Sequence, residues 1–304
     1  MALYLYGLLF ILSLIWGGSF FFIKVLVESY GPFTVAFLRC LFGVLALLPI
    51  LFFLKEKIEW KKVPWKALIA VGFLNSTIPW SLIAYSEQSI SSGLASVLNA
   101  STPIWTLLMG IIFFQLRSQI FQYIGIFVGF MGILILVDID WHNLKIDNSL
   151  AVGAMLLCTL CYGLSSQICR RHFQQLSVYQ TSFITLGIGT ISSVIPSMAL
   201  ERPDLTLIAT PSIFLSLLGL GVLGSGIAYI LFYILIQKGS AEFATLVTYL
   251  VPPFAILWGY LFLDEAIHLS LFVGLAVILL GVYISGKKKR EKAVVQAEAE
   301  QTAV

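Results

Sequence analysis

Residues 72–88 read GFLNSTIPWSLIAYSEQ, and residues 221–237 read GVLGSGIAYILFYILIQ. The second stretch is the first moved along by 149 positions: Gly72 falls on Gly221, Ser76 on Ser225 and Gln88 on Gln237. The register then holds without a gap to residue 135, so Pro103 meets Pro252, Gly110 meets Gly259, Gly125 meets Gly274 and Gly132 meets Gly281. Closer to the N-terminus, residues 14–40 return after 146 positions. Trp16-Gly17 lands on Tyr162-Gly163, Ser19 on Ser165, Lys24 on Arg170 and Phe37 on Phe183. The three-residue slip between the two shifts is absorbed near Glu201 to Pro211. A duplicated apolar unit with an odd number of membrane crossings produces two halves of opposite orientation, an architecture that transporters use.

Composition places the chain in lipid. Of its 304 residues 59% are hydrophobic and 11% charged, too apolar for an ordinary water-soluble domain. Runs of about 20 apolar residues span a hydrocarbon core of about 30 Å. Ten occur, at 3–27, 32–54, 66–86, 93–114, 119–137, 149–169, 178–199, 211–236, 241–263 and 269–286. The expected fold is an all-α integral membrane protein of ten transmembrane helices, built as two inverted five-helix repeats, 1–140 and 148–286. The first run lacks a basic leader and is too long for a signal peptide, so it reads as an uncleaved crossing. Residues 287–304 form a basic, then polar tail that is expected to be disordered.

Basic residues orient the helices. Lys55, Lys57, Lys61, Lys62 and Lys66 follow helix two, Arg117 helix four, Arg170 and Arg171 helix six, and Lys238 helix eight. Lys287, Lys288, Lys289, Arg290 and Lys292 follow helix ten, and all of these fall on one side. The opposite loops carry Lys145 and Arg202 among the acids Asp138, Asp140, Asp147, Glu201, Asp204, Asp264 and Glu265. Both termini are therefore expected in the cytoplasm, with the chain in the cytoplasmic membrane.

Polar side chains are costly in hydrocarbon, so their depth carries information. Helix one has Trp16, Gly17, Gly18 and Ser19 at its middle, and its mate helix six has Tyr162, Gly163, Ser165, Ser166 and Gln167. Gly72, Asn75, Ser76 and Pro79 share one face of helix three; Gly221, Gly224, Ser225 and Ala228, beside Tyr229, occupy the same places in helix eight. Ser96, Asn99 and Pro103 in helix four are echoed by Thr245, Thr248 and Pro252 in helix nine, with Tyr249 and Pro253 added. Six helices thus converge on polar midpoints, which points to a central cavity. Helices five and ten are plain apart from Gly125, Gly129, Gly132, Gly274 and Gly281. Such glycines serve close packing, within the chain or in a homodimer through helices five and ten.

The predicted substrate site comprises Trp16, Ser19, Asn75, Ser76, Trp80, Asn99, Pro103, Tyr162, Gln167, Ser225, Tyr229, Thr248 and Tyr249. This lining suits small uncharged or zwitterionic organic solutes with some apolar bulk. No Asp, Glu or His falls near a helix midpoint. Lys24, Arg39 and Glu87 are placed in the outer third, Arg39 roughly 10 Å below the surface at 1.5 Å per residue. Arg39 has three readings there: it can snorkel to water, pair with Glu28 or Glu87, or attract a substrate carboxylate.

Several apparent motifs carry no weight. Gly219, Gly221 and Gly224 spell a G-x-G-x-x-G inside a membrane helix with no strand before it. Asn75-Ser76-Thr77 and Asn99-Ala100-Ser101 match a glycosylation pattern at membrane depth. Cys158 and Cys161 make a lone C-x-x-C in an apolar helix, better read as packing. Asp264, Glu265 and His268 cluster in a loop and read as solvated charge. No metal site, cofactor, P-loop, catalytic set or nucleic-acid face is expected.

Trp16-Gly17-Gly18-Ser19 with Lys24 and Arg39 downstream resembles the opening of an EamA domain. Ser101-Thr102-Pro103-Ile104 and its echo Val251-Pro252-Pro253-Phe254, followed by Leu263-Asp264-Glu265, strengthen the likeness. Over residues 3–286 the chain is similar to the ten-helix EamA branch of the drug/metabolite transporter superfamily. The resemblance implies alternating access about a cavity lined by helices one, three, four, six, eight and nine. It also implies export or exchange of amino acids, amphiphilic drug-like solutes or related metabolites. One departure is Leu116, which stands where the second half has the acid Glu265. Two other classes compete: a membrane enzyme, for which the residues offer no convincing machinery, and a sensor or structural subunit, which would carry no flux. Solute, direction and coupling ion are not legible at this level.

Overall fold

A computed structural model describes residues 2–55, 63–115, 120–136, 146–173, 176–238, 244 and 247–285, and among them there are helices and connections but no strand. Arg117, Leu116, Asp138, Asp140, Lys145, Thr245 and the tail from Lys287 lie outside the described residues. Among the described residues, seven helical stretches are long and apolar enough to cross a membrane, and three shorter apolar helices join them. In chain order they are α1 (Ala2–Leu26), α2 (Pro32–Phe53), α3 (Trp65–Glu87), α4 (Ser92–Phe114) and α5 (Ile120–Leu136). The second five are α6 (Ile146–His172), α7 (Val178–Glu201), α8 (Pro211–Leu235), α9 (Val247–Phe262) and α10 (Leu269–Ser285). Large hydrophobic side chains such as Phe52, Phe127, Ile191 and Leu269 stand exposed on the perimeter, where lipid replaces water.

Local chemistry sets the helix ends. Pro32 and Pro211 open α2 and α8, where a missing N–H has no intrahelical partner to lose. Ser177 and Gln180 form a reciprocal capping box at the start of α7. Gln115 and Asp264, 149 positions apart, each adopt a left-handed backbone with φ 51 where α4 and α9 end. α3 and α8 are interrupted at matching depths by π-helical turns, Phe73–Thr77 and Leu218–Ile227. α4 breaks between Asn99 and Thr102.

Glycine contacts reveal the relation between the halves. A Cβ at Gly17 in α1 would strike Phe254 and Ala255 of α9, and one at Gly163 in α6 would strike Trp105 and Thr106 of α4. Phe254 and Ala255 are the repeat equivalents of Trp105 and Thr106. The pattern recurs: Gly72 abuts Ile188 as Gly221 abuts Phe42, and Gly132 abuts Ile278 as Gly281 abuts Gly129. Close contacts that interchange when the halves are interchanged define a pseudo-twofold axis.

The axis inverts the repeat. Glu201, at the end of α7, accepts from the backbone amides of Phe33 (2.8 Å) and Thr34 (2.7 Å) at the start of α2. Because α2 and α7 are mates, start against end means that they run antiparallel. Three more contacts gather the connections onto that same face. Glu265 after α9 accepts from the Ser92 and Gly93 amides opening α4, Tyr30 reaches the Asp204 carbonyl, and Lys24 of α1 donates to the carbonyls of Glu87 and Ile90. We call this the far face; the N-terminal end of α1 lies opposite, where the Lys238 ammonium sits 6.0 Å from the Tyr4 ring centre. There, Val63, Leu68, Val71, Phe173 and Ile184 form a small second apolar cluster joining α3, α6 and α7.

The glycines of α5 and α10 are engaged within the chain. A Cβ on Gly281 would meet Gly125 and Gly129, and one on Gly132 would meet Ile278 and the Gly274 carbonyl. The two helices pack along one another, so those glycines serve intrachain packing.

Candidate functional site

A cavity of about 100 Å³ opens among seven helices at mid-depth. α1 supplies Trp16, Ser19, Phe20 and Ile23; α2 supplies Arg39; α3 supplies Asn75, Trp80 and Ile83; α4 supplies Asn99 and Thr102. From the second half come Tyr162 and Ser166 of α6, Tyr229 and Phe232 of α8, and Thr248 and Val251 of α9.

The two π turns build the cavity's polar wall. Widening a helix by one residue per turn displaces carbonyls from the usual ladder and leaves them able to accept side-chain donors. The Gly224 carbonyl, inside the α8 turn, accepts from Trp16 Nε1 (3.2 Å) and an Arg39 terminal nitrogen (3.4 Å). Arg39 Nε donates to Ser225 Oγ at 2.8 Å, and its guanidinium carbon stands 3.8 Å over the Trp80 ring. On the α3 turn, Asn75 Nδ2 donates to the Tyr229 hydroxyl (2.8 Å), which in turn donates to the Asn75 carbonyl (3.1 Å). Ser76 Oγ lies 3.3 Å from the same hydroxyl. Each π turn therefore grips the other half of the molecule.

Arg39 carries three readings from the sequence, and its burial decides against one of them. Snorkelling to water requires an exposed head group, yet only 5% of Arg39 is exposed and it forms part of the cavity wall. Its hydrogen bonds go to neutral oxygens, Ser225 Oγ and the Gly224 carbonyl. The signal was present in the repeat: Ser225 sits in the polar stretch of α8, and α2 crosses it where Gly43 and Gly221 allow close approach.

The other expected residues divide into three groups. Trp16, Ser19, Asn75, Trp80, Asn99, Tyr162, Tyr229 and Thr248 share the cavity wall. Ser76 and Ser225 stand behind it, fully buried, holding Tyr229 and Arg39. Gln167, Pro103 and Tyr249 are not on the wall. Gln167 Nε2 instead donates to the Thr106 carbonyl (3.0 Å) and ties α6 to α4. Asn99 Oδ1 is buried without a hydrogen-bond partner, leaving an acceptor beside the cavity.

Toward the far face, hydrogen bonds join the helix ends beyond the cavity. Lys24 bridges α1 to the end of α3, while Glu265 takes the Ser92 amide and hydroxyl at 2.8 Å each. Glu87 is wholly buried there, one turn beyond Ile83.

The profile of the EamA-like transporter family matches residues 3–138 and again 149–286. The transporter YoaV of Bacillus subtilis, described only as uncharacterized, is 23% identical over 275 residues, covering 90% of this chain and 93% of that one. The uncharacterized inner membrane transporter YedA of Escherichia coli K12 is 27% identical over 284 residues, covering 92% and 90%. A solved crystal structure superposes with a TM-score of 0.66 at 16% identity, over 92% of this chain and 95% of the other, which shows the shared fold.

Proposed function

The chain belongs to the EamA-like transporter family, and from that premise we propose that it is a secondary transporter carrying small organic solutes by alternating access about the mid-depth cavity. The chain is a multi-pass membrane protein; we place its termini in the cytoplasm and its far face outside, following the distribution of basic residues.

One observation carries the substrate reading: Arg39 is a buried cation bonded to neutral oxygens, with the cavity beside it. A buried charge is costly until it meets an opposite one. A solute carboxylate completes the site, and its apolar or aromatic part lies among Trp16, Trp80, Tyr229 and Phe232. Asn75, Asn99, Ser19 and Thr248 offer neutral polar contacts. Amino acids and amphiphilic carboxylates fit this description; multivalent anions do not, because the wall presents a single cation among the described residues. We assign export or exchange, driven by solute gradients, with the π turns, the α4 break and the prolines of α9 as flexing points.

The test is a panel of labelled amino acids, their decarboxylated amines and neutral amphiphiles offered to proteoliposomes, with and without a pH gradient. Saturable flux of carboxylate-bearing members supports the reading. Flux equal to that of protein-free vesicles across the panel refutes transport and leaves a sensor or structural role.

A further inference from the structure

We propose that Glu87 is a proton-binding site at the far end of the cavity, and that the far face closes only when its carboxyl carries a proton. The inference rests on the carrier reading and adds to it a chemical condition for closing one gate.

The side chain is 0% exposed, and neither carboxylate oxygen has a hydrogen-bond partner. It sits at the seal itself. Lys24 of α1 donates to the backbone carbonyls of Glu87 and Ile90, and Ser86 beside it donates to the Ala151 carbonyl of α6 at 2.8 Å. Three charged groups act on the carboxyl: Lys24, Arg39 of α2 and Glu265 following α9. None of them bonds it. Arg39 is turned to Ser225 and Gly224, Glu265 to the amides opening α4, and Lys24 to carbonyls.

A desolvated carboxylate with no donor is strongly unfavourable. In the sealed arrangement the neutral acid is therefore the form that fits. Parting the far face frees Lys24 from the two carbonyls and admits water, and both changes favour the charged form. Closing then takes one proton from water at the far face, and opening returns it. Because the sealed state holds one proton more, the ratio of open to closed molecules rises with pH by at most about tenfold per unit. Acid outside the cell holds the gate shut.

The experiment uses the full chain in nanodiscs, with its four native cysteines replaced. Cysteines are introduced at Ser29 and Ser89, which are exposed in the α1–α2 and α3–α4 connections. Spin labels at these two positions report their separation by pulsed electron resonance between pH 5 and 9. The proposal expects a short-distance population in acid giving way to a longer one in alkali. Glu87→Gln and Glu87→Ala remove the proton site and should abolish the pH response, while Glu265→Gln should keep it. A distribution that ignores pH in the parent protein, or an undiminished response in both Glu87 variants, overturns the proposal. Flux of the same variants reconstituted in sealed proteoliposomes separates the two ideas. Flux without a pH response removes the gate and keeps the carrier; a pH response without flux removes the carrier reading.

Discussion

The guanidinium carbon of Arg39 stands 3.8 Å from the centre of the Trp80 ring. The aromatic face attracts the cation on one side, while Ser225 and the Gly224 carbonyl hold its edge. Trp80 itself lies 5.7 Å from Tyr229, centre to centre. One charge is thereby fixed in place by groups from α3 and α8, mates in the repeat, and a movement of either helix must move the charge.

Arg39→Ala should weaken recognition of carboxylate-bearing solutes by roughly 1.5–3 kcal/mol, the range for hydrogen bonds to charged groups. That corresponds to a ten- to hundredfold rise in half-saturating concentration. Flux of a decarboxylated analogue should fall far less. Arg39→Lys should recover only part of the loss, since an ammonium cannot reproduce the planar stack and the edge-on bond to Ser225. Competition assays in proteoliposomes measure all three.

Tyr229→Phe removes the hydroxyl that binds both the amide and the carbonyl of Asn75. Losing it should cost about 1–3 kcal/mol, because the Asn75 amide is left without its partner. Thermal unfolding in detergent should shift down accordingly. Asn75→Ala combined with Tyr229→Phe should cost less than the two single changes added together.

Gly281→Val should destabilise the protein by about 1–3 kcal/mol, as overpacking does, because a Cβ there meets Gly125 and Gly129 of α5. Gly187→Val is the control: nothing lies within 4 Å of a Cβ at that position. Parallel melting curves of the two variants decide the point.

Glu201→Ala should loosen the far face. The carboxylate receives two amides and the Thr34 hydroxyl (2.6 Å) at the start of α2, where helix-end charge also favours an anion. A loss of about 2 kcal/mol is expected. Hydrogen exchange of the Phe33 and Thr34 amides should accelerate more than that of amides in the middle of α2. Gly31→Ala should act in the same direction, since a Cβ at Gly31 collides with the Glu201 carboxylate.

Much of this was legible in the chain because duplication is visible as identity at a fixed offset. Gly72 and Gly221, or Gly132 and Gly281, are spaced by the repeat and nothing local explains them otherwise. The converging polar midpoints likewise marked eight of the cavity's wall residues. What escaped was rotation and partnership. Gln167 lies at the right depth but faces α4, and depth along a helix cannot say which neighbour a side chain meets. Distance from the helix end leaves three readings open for Arg39, because it does not reveal the close crossing with α8 that buries the side chain. The π turns at Phe73–Thr77 and Leu218–Ile227 were also invisible, because periodicity reads every helix as 3.6 residues per turn.

The most direct test of the account is the reactivity of single cysteines placed at Ser19, Asn99 and Thr248, on three different helices around the cavity. Applied to sealed vesicles, a small hydrophilic thiol reagent should modify these positions from at least one side, and a transported solute should slow the reaction. If all three stay inert from both sides in folded protein, the cavity holds no water and the carrier mechanism has no path.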